Sequence, residues 1–588
     1  MILDAINSPS DLKNLNVEQL NSLSHEIREI LIKKASVCGG HLASNLGVVE
    51  ITIALHYVFN TPIDKIIFDV SHQCYTHKIL TGRKKAFTCE NEYGSVTGFT
   101  NPKESQFDLF NIGHTSTSIS LASGLAKARD YSGDNYNVIA LIGDSALDGG
   151  EAFEALNNVC EIDGGLIIVI NDNHMSIPEN HGFINNHLND LYDNDGVVNN
   201  NLFNAFGLNY YFVKDGHDIH ELIKVFERVK NTNDHVVIHC RTTKGKGYLP
   251  AEENQEQWHH AHPFDIDSGC FLKVNTVPKE NYGSIVGEYL SDKIKKDMRI
   301  IPMTASVPAC FGFNSIRRME AGKQFIDVGI CEQHLISMAC GLSIKGYKPV
   351  VITESSFYQR AYDQIEQELA INKCPVTMLI AFSGIYGHDD NTHIGLYDIS
   401  LFSNLNNVVY LAPSCKEMYM SILEWSIEKS RCPVFIRIPW NGVHYLKKGH
   451  AIPDDYSKTK YLIREKGTIV AIIALGSFYQ LGENVLEILK THSIMPTLID
   501  PVFASGIDNE CLEELKNDHK LVVTIEDGVV TGGFGSKISQ FFGNTDIHVI
   551  NFGFSDELDA KFDRESIIKK NNLQPSQIAK TILDSLDY

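Results

Sequence analysis

Apolar residues along this chain follow two rhythms. Short β-rich runs at 137–142 (NVIALI), 165–170 (GLIIVI) and 235–239 (HVVIH) alternate with stretches of helical spacing. Continuous apolar strands between helical patterns predict a parallel sheet covered on both faces. A second set repeats the alternation: strand-like 325–328, helical 332–342, strand-like 349–353, helical 359–371, strand-like 375–381. A third opens with the strand-like 468–475 and runs to the end. Two stretches interrupt the pattern, a mixed one at 270–280 and a polar one at 445–460 with Lys, Gly, Pro and Asp, and both read as linkers. The expected fold class is α/β, with three successive α/β domains and mostly parallel sheets, spanning 1–270, 281–445 and 460–588.

A chain of 588 residues is too long for a single core, which suits three domains. An apolar fraction of 43% with 21% charged residues is that of a globular protein. The formal net charge of −22 argues against nucleic acid and against an anionic membrane surface as partners. No apolar run approaches the ~20 residues that a membrane-crossing helix requires. The start, MILDAINSPSDLKNLN, has no basic-then-apolar signal pattern, and the 13 scattered cysteines form no C-x-x-C pair. Reduced thiols and a cytoplasmic location are therefore expected.

The strand at 137–142 runs straight into Gly143-Asp144-Ser145, and the strand at 165–170 into Asn171-Asp172-Asn173. An acid ending one parallel strand and an amide ending the next meet at the carboxyl edge of the sheet, where they offer hard oxygens to an octahedral cation. Backbone N–H groups of the turn beside Asp144, at Ser145 and Ala146, face where a diphosphate would sit. Gly-Asp, a gap and then Asn is the thiamine-diphosphate motif; the plain alternative is a strand, turn and helix whose Asp caps the helix. The motif's usual third glycine is Ser145 in this chain, so a cost is expected if that position needs a positive φ.

Further segments extend the match over nearly the whole length: GGHLASNLGVVEITIALHYVFNTP, DVSHQCYTHKILTGR, GHTSTSIS, INDNHMSIPEN, KGKGYLPAE, DVGICEQH, SFYQRAYDQ, THIGLYD and EDGVVTGGFG. With them the chain resembles the 1-deoxy-D-xylulose-5-phosphate synthase family of transketolase-like enzymes. The resemblance implies a homodimer that uses thiamine diphosphate and Mg²⁺, decarboxylates pyruvate and adds the two-carbon unit to an aldehyde, glyceraldehyde 3-phosphate in the family. It also assigns roles. Glu332 would exchange a proton with the cofactor's pyrimidine, with Phe357 stacked on that ring and Arg360 nearby. His41, His72, His259 and His393 would serve catalysis. His72, His114, Ser116, Gly143, Asp144, Ser145, Ala146 and Asn173 would hold the cofactor, and Asp144, Asn173 and Met175 the cation. Asp389, His393, Glu354, Phe382 and Trp440 would line the substrate site, with Lys244 a basic residue at its mouth or else a solvated surface lysine.

Three departures stand out. The connection from 186 to 207 is shorter than in the family, where a long segment intervenes. Two phosphate-gripping arginines are replaced, by Phe382 in AFSG and by Trp440 in RIPW, and a phosphate-binding tyrosine by Glu354. An acceptor without a phosphate is the expectation, unless Arg437 or His388 compensates. Two other activities stay open: ketol transfer of the transketolase type without decarboxylation, and a non-catalytic cofactor-binding relative.

Overall fold

The computed structural model describes residues 1–272, 280–388 and 390–586. Most of the sequence-predicted linker at 270–280, and the substrate candidate Asp389, lie outside the described residues. The chain divides into two compact units, Met1–Val277 with Gly329–Cys331, and Pro278–Val328 with Glu332–Tyr588.

The first unit is built on one five-stranded parallel sheet: β1 (Lys65–Phe68), β2 (Val138–Gly143), β3 (Ile167–Asp172), β4 (Asn209–Val213) and β5 (Val236–Arg241). Their order is β1-β2-β3-β5-β4. Strands β2 and β3 are buried along nearly their full length, which is why they read as unbroken apolar runs. Gly143 lies opposite Asn171, so both strands deliver their next residues to the same edge. The 186–207 connection is largely filled by helices, Phe183–Asp193 and Leu202–Ala205.

The second unit carries two sheets. The first contains β6 (Ile300–Thr304), β7 (Ile326–Asp327), β8 (Lys348–Glu354), β9 (Thr377–Ala381), β10 (Val409–Leu411) and β11 (Val434–Arg437), ordered β10-β11-β9-β8-β6-β7 and parallel throughout. The second contains β12 (Leu462–Glu465), β13 (Ile469–Ala474), β14 (Thr497–Asp500), β15 (His519–Val529) and β16 (His548–Phe554), ordered β12-β14-β13-β15-β16. Only β12 in that sheet runs antiparallel, against β14. The polar 445–460 stretch contains no helix or strand. Three mostly parallel sheets with interleaved helices are the α/β architecture that the sequence predicts.

One predicted element differs. The 359–371 segment is not one α-helix: a 3₁₀ turn at Phe357–Ala361 passes through Tyr362–Gln364 into a π-helical Ile365–Ala370. Tyr358, Ala361, Ile365 and Leu369 are all fully buried. That spacing of three, four and four averages close to the 3.6 residues per turn of an α-helix, so the apolar pattern reads as α although the backbone passes from a tighter turn to a wider one.

Candidate active site

Asp144 follows β2 and is buried, and its backbone N–H donates to the Asn171 carbonyl at 3.1 Å. Its Oδ2 is buried with no hydrogen-bond partner among the described residues, as is the neighbouring Ser145 Oγ. Burial, then the nearby Asp172, push the Asp144 carboxyl well above the usual range, against Lys244 and the Ser145 N–H. Asn173 accepts from the Met175 N–H at 3.0 Å, which fixes its amide oxygen and leaves that oxygen a second lone pair. Among the described residues, no three His, Cys, Asp or Glu side chains gather as a metal cage. The donor set is of another kind: a carboxylate oxygen without a partner among the described residues and an amide oxygen, hard donors that match a cation sharing its shell with phosphate. Ser145 begins a 3₁₀ turn, Ser145–Asp148, and so does not require the positive φ that a glycine would supply. The cost expected of that substitution is absent.

The histidines of the first unit converge. His41 lies 5.2 Å from His72 and 5.5 Å from His259 between ring centroids, and His72 lies 5.3 Å from His259. Asn45, fully buried, donates to the carbonyls of His41 at 2.6 Å and of His72 at 2.8 Å, tying two distant segments together. Burial holds the His259 imidazole well below its ordinary pKa, helped by Lys244, so its neutral form is favoured. Ser116 adopts a φ of 71°, and Asp69 anchors its loop by accepting the N–H groups of Ser116 at 2.8 Å and Ser118 at 2.9 Å. The close seat of that loop depends on Gly149, where a Cβ would stand 2.1 Å from Ser116 Oγ. His114 precedes this loop on the same stretch.

Lys244 is not at a solvent-facing mouth. It is buried, its Nζ donates to the Ser176 carbonyl, and burial lowers its ammonium to about 7 against the pull of Asp144 and Glu256. Two neighbouring side chains were not singled out in the sequence. His260 stands 4.8 Å from His41. Asp172 is fully buried and accepts from His239 at 2.8 Å and Arg241 at 3.0 Å, which braces the strand end that carries Asn173. The adjacent HH pair and the middle residue of NDN were the available signals.

In the second unit, Glu332 opens the helix Glu332–Ile344 and is buried. Burial raises its carboxyl, opposed by Arg360, whose Nη1 donates to Oε2 at 3.4 Å. Phe357 meets His393 edge-on at 5.8 Å. His393 Nδ1 lies 3.2 Å from Asp390, which also accepts the His393 backbone N–H at 3.1 Å. Glu354 ends β8 opposite Ala381, so Glu354 and Phe382 share one sheet edge, and Glu354 Oε2 pairs with His388 Nε2 at 2.9 Å. Arg437 is buried and grips Asp398 with two nitrogens, at 2.7 and 3.1 Å, while donating to the Asp527 carbonyl at 2.8 Å.

Comparison with known proteins bears on this arrangement. Residues 3–200 and 193–242 match the 1-deoxy-D-xylulose-5-phosphate synthase family, residues 279–443 the transketolase pyrimidine binding domain and residues 459–578 the transketolase C-terminal domain. The 1-deoxy-D-xylulose-5-phosphate synthases of Caldanaerobacter subterraneus subsp. tengcongensis and Clostridium tetani are 38% and 37% identical, each over 99% of both chains. That of Clostridium acetobutylicum is 38% identical, also over 99% of both chains. The transketolase of Campylobacter jejuni aligns with a TM-score of 0.45 at 16% identity, over 97% of this chain and 100% of that one, a likeness too slight to carry weight. Three consecutive domain matches and full-length identity near two in five place this chain in the 1-deoxy-D-xylulose-5-phosphate synthase family of thiamine-diphosphate transferases.

Proposed function

We propose that this chain is a carboligase that decarboxylates pyruvate and joins the remaining two-carbon unit to an aldehyde, with thiamine diphosphate and Mg²⁺ as cofactors. The observation that carries the reading is Asp144, a buried carboxylate with an unpartnered oxygen at the strand edge where Asn173 also stands. A fold keeps such a group when a ligand completes it. Asp144, the Asn173 amide and the Met175 carbonyl would hold Mg²⁺. Gly143, Ser145, Ala146, His114 and Ser116 would present donors to the diphosphate. Thiamine diphosphate, when bound, supplies a carbon nucleophile and a sink for the electron pair that CO₂ leaves behind.

The protein's own residues would do the rest. Glu332, with its carboxyl raised by burial, is suited to give a proton to and take it back from a pyrimidine ring nitrogen, and Arg360 holds it in line. Phe357 would pack against that ring. His41, His72, His259 and His393 would bind the pyruvate carboxylate and move protons at the carbonyl oxygens, a task for which a neutral imidazole is fit. The segments 1–270, 281–445 and 460–588 would then serve as diphosphate-binding, pyrimidine-binding and C-terminal domains, in a cytoplasmic homodimer.

The acceptor would lack a terminal phosphate. Arg437, the arginine that remains near the replaced positions, is committed to Asp398, and His388 is committed to Glu354. Purified protein with thiamine diphosphate, Mg²⁺ and pyruvate should release CO₂ with at least one aldehyde. Ketol transfer from a sugar phosphate without CO₂ would instead assign the transketolase reaction. Cofactor binding with no turnover on either donor would assign a non-catalytic relative.

A further inference from the structure

The carboxyl ends of neighbouring parallel strands bring a row of rings to one edge of the second unit. Phe357 and His393 stand 5.8 Å apart, His393 and His388 5.4 Å, His388 and Phe382 4.7 Å, and Phe382 and Trp440 4.1 Å. The last pair is stacked face to face with planes 6° apart, so Phe382 is sandwiched between the indole and the His388 imidazole. Its backbone holds a φ of 51°, a left-handed conformation that few bulky residues adopt. Gly395 makes room for it, since a Cβ there would lie 2.2 Å from the Phe382 carbonyl oxygen. Backbone strain of this kind persists where the surroundings over-determine it, commonly at ligand sites.

At the far end of the row, the Trp440 indole Nε1–H is buried and has no acceptor among the described residues. A buried donor left unpaired calls for an explanation. Among the described residues, three charged groups beside the row are paired: Glu354 with His388, Asp390 with His393, and Arg437 with Asp398. None of these pairs leaves a cation over for a phosphate.

We propose that Trp440, at the end of this row, recognises through its indole N–H an oxygen on the far end of an uncharged acceptor aldehyde. The inference rests on the carboligase reading and adds the acceptor's chemical class: neutral, with a hydroxyl or carbonyl oxygen beyond the reacting carbon. Phe382 holds the indole in place, so Trp440 is the specificity-determining residue and Phe382 a positioning one. A site that hydrogen-bonds a substrate oxygen discriminates against the analogue that lacks it, because the buried donor is then left unpaired.

Three acceptors test this with the cofactor-loaded enzyme and pyruvate: D-glyceraldehyde, propanal and D-glyceraldehyde 3-phosphate. Wild type should prefer D-glyceraldehyde to both others in kcat/KM. Trp440→Phe keeps a ring but removes the N–H. It should lower kcat/KM for D-glyceraldehyde about tenfold, lower that for propanal no more than about twofold, and leave the KM for pyruvate near its original value. Trp440→His, which keeps a ring N–H, should recover part of the lost preference, and melting curves show that both variants fold. Equal losses on D-glyceraldehyde and propanal, or a wild-type preference for the phosphorylated aldehyde, would overturn the assignment while leaving the carboligase reading intact. Absence of CO₂ release with every aldehyde would remove both.

Discussion

Buried acids differ in whether the fold itself supplies their partner. Glu332 has a partner, Arg360, and a raised carboxyl. Glu332→Gln keeps the size and an oxygen that can accept from Arg360, but it cannot pass a proton. It should lower kcat by about 10²-fold or more while shifting the melting temperature little. Turnover within a few-fold of wild type would exclude Glu332 from proton transfer. His72→Ala and His393→Ala should likewise cost turnover far more than thermal stability; melting that falls in step with activity would make them structural. At this scale the sequence supplied the candidates. Glu332 sits in ICEQH and the histidines in recognisable motifs, and the three of the first unit converge in space. The burial of Lys244 was not legible, because a loop lysine carries no periodicity and nothing in its neighbourhood announces it. Asn45 was missed because its work is done through carbonyls of two segments far apart in the chain.

Elements were easier to read than their joints. Strands seen as apolar runs recur within a residue or two of the expected bounds, since strands buried on both faces leave a continuous signal. The 359–371 segment failed because a tight 3₁₀ turn followed by a wide π turn averages to the apolar spacing of an α-helix. Ion pairs that lock helices together left no sequence signal either. Arg28, on the helix Val17–Cys38, grips Glu50, on the helix Val49–Val58, through two bonds of 2.5 and 2.6 Å, and both residues are buried. Burial alone would raise the Glu50 carboxyl, but hydrogen bonds from His217 and Arg28 outweigh it and bring it to about 2. A folded pKa below the unfolded one gives stability that is present above the unfolded value of about 4.3 and is lost as pH falls toward about 2. Glu50→Gln should therefore destabilise at neutral pH by about 3–5 kcal/mol, the cost of leaving Arg28 buried without its partner charge. It should also flatten the acid side of a plot of urea midpoint against pH. A variant with the wild-type slope between about pH 4.3 and 2 would show that Glu50 does not govern acid sensitivity.

At the scale of the whole molecule, a formal net charge of −22 makes each further buried carboxylate harder to sustain without a cation. Asp144 is the clearest case: its Oδ2 is buried and unpartnered among the described residues, and the charge of Asp172 adds to the penalty. The cofactor-free protein should carry that cost, and binding of Mg²⁺ with thiamine diphosphate should relieve it. A ligand that binds only the folded state at 100 times its Kd adds about 2.7 kcal/mol, enough to raise the melting temperature by a few degrees in a chain this long. EDTA should abolish that rise, because the diphosphate's charge is then left unscreened beside Asp144. Asp144→Ala separates function from stability in one variant. Without ligand it should melt no lower than wild type, because an orphaned buried carboxyl has been removed. With thiamine diphosphate and Mg²⁺ it should show little or no rise, and titration should show weakened binding. The two halves of the outcome answer different questions. A ligand-induced rise that survives in Asp144→Ala would remove Asp144 from the cation site. A cofactor-free variant that melts far below wild type would mean that the carboxylate supports the fold through contacts other than the metal.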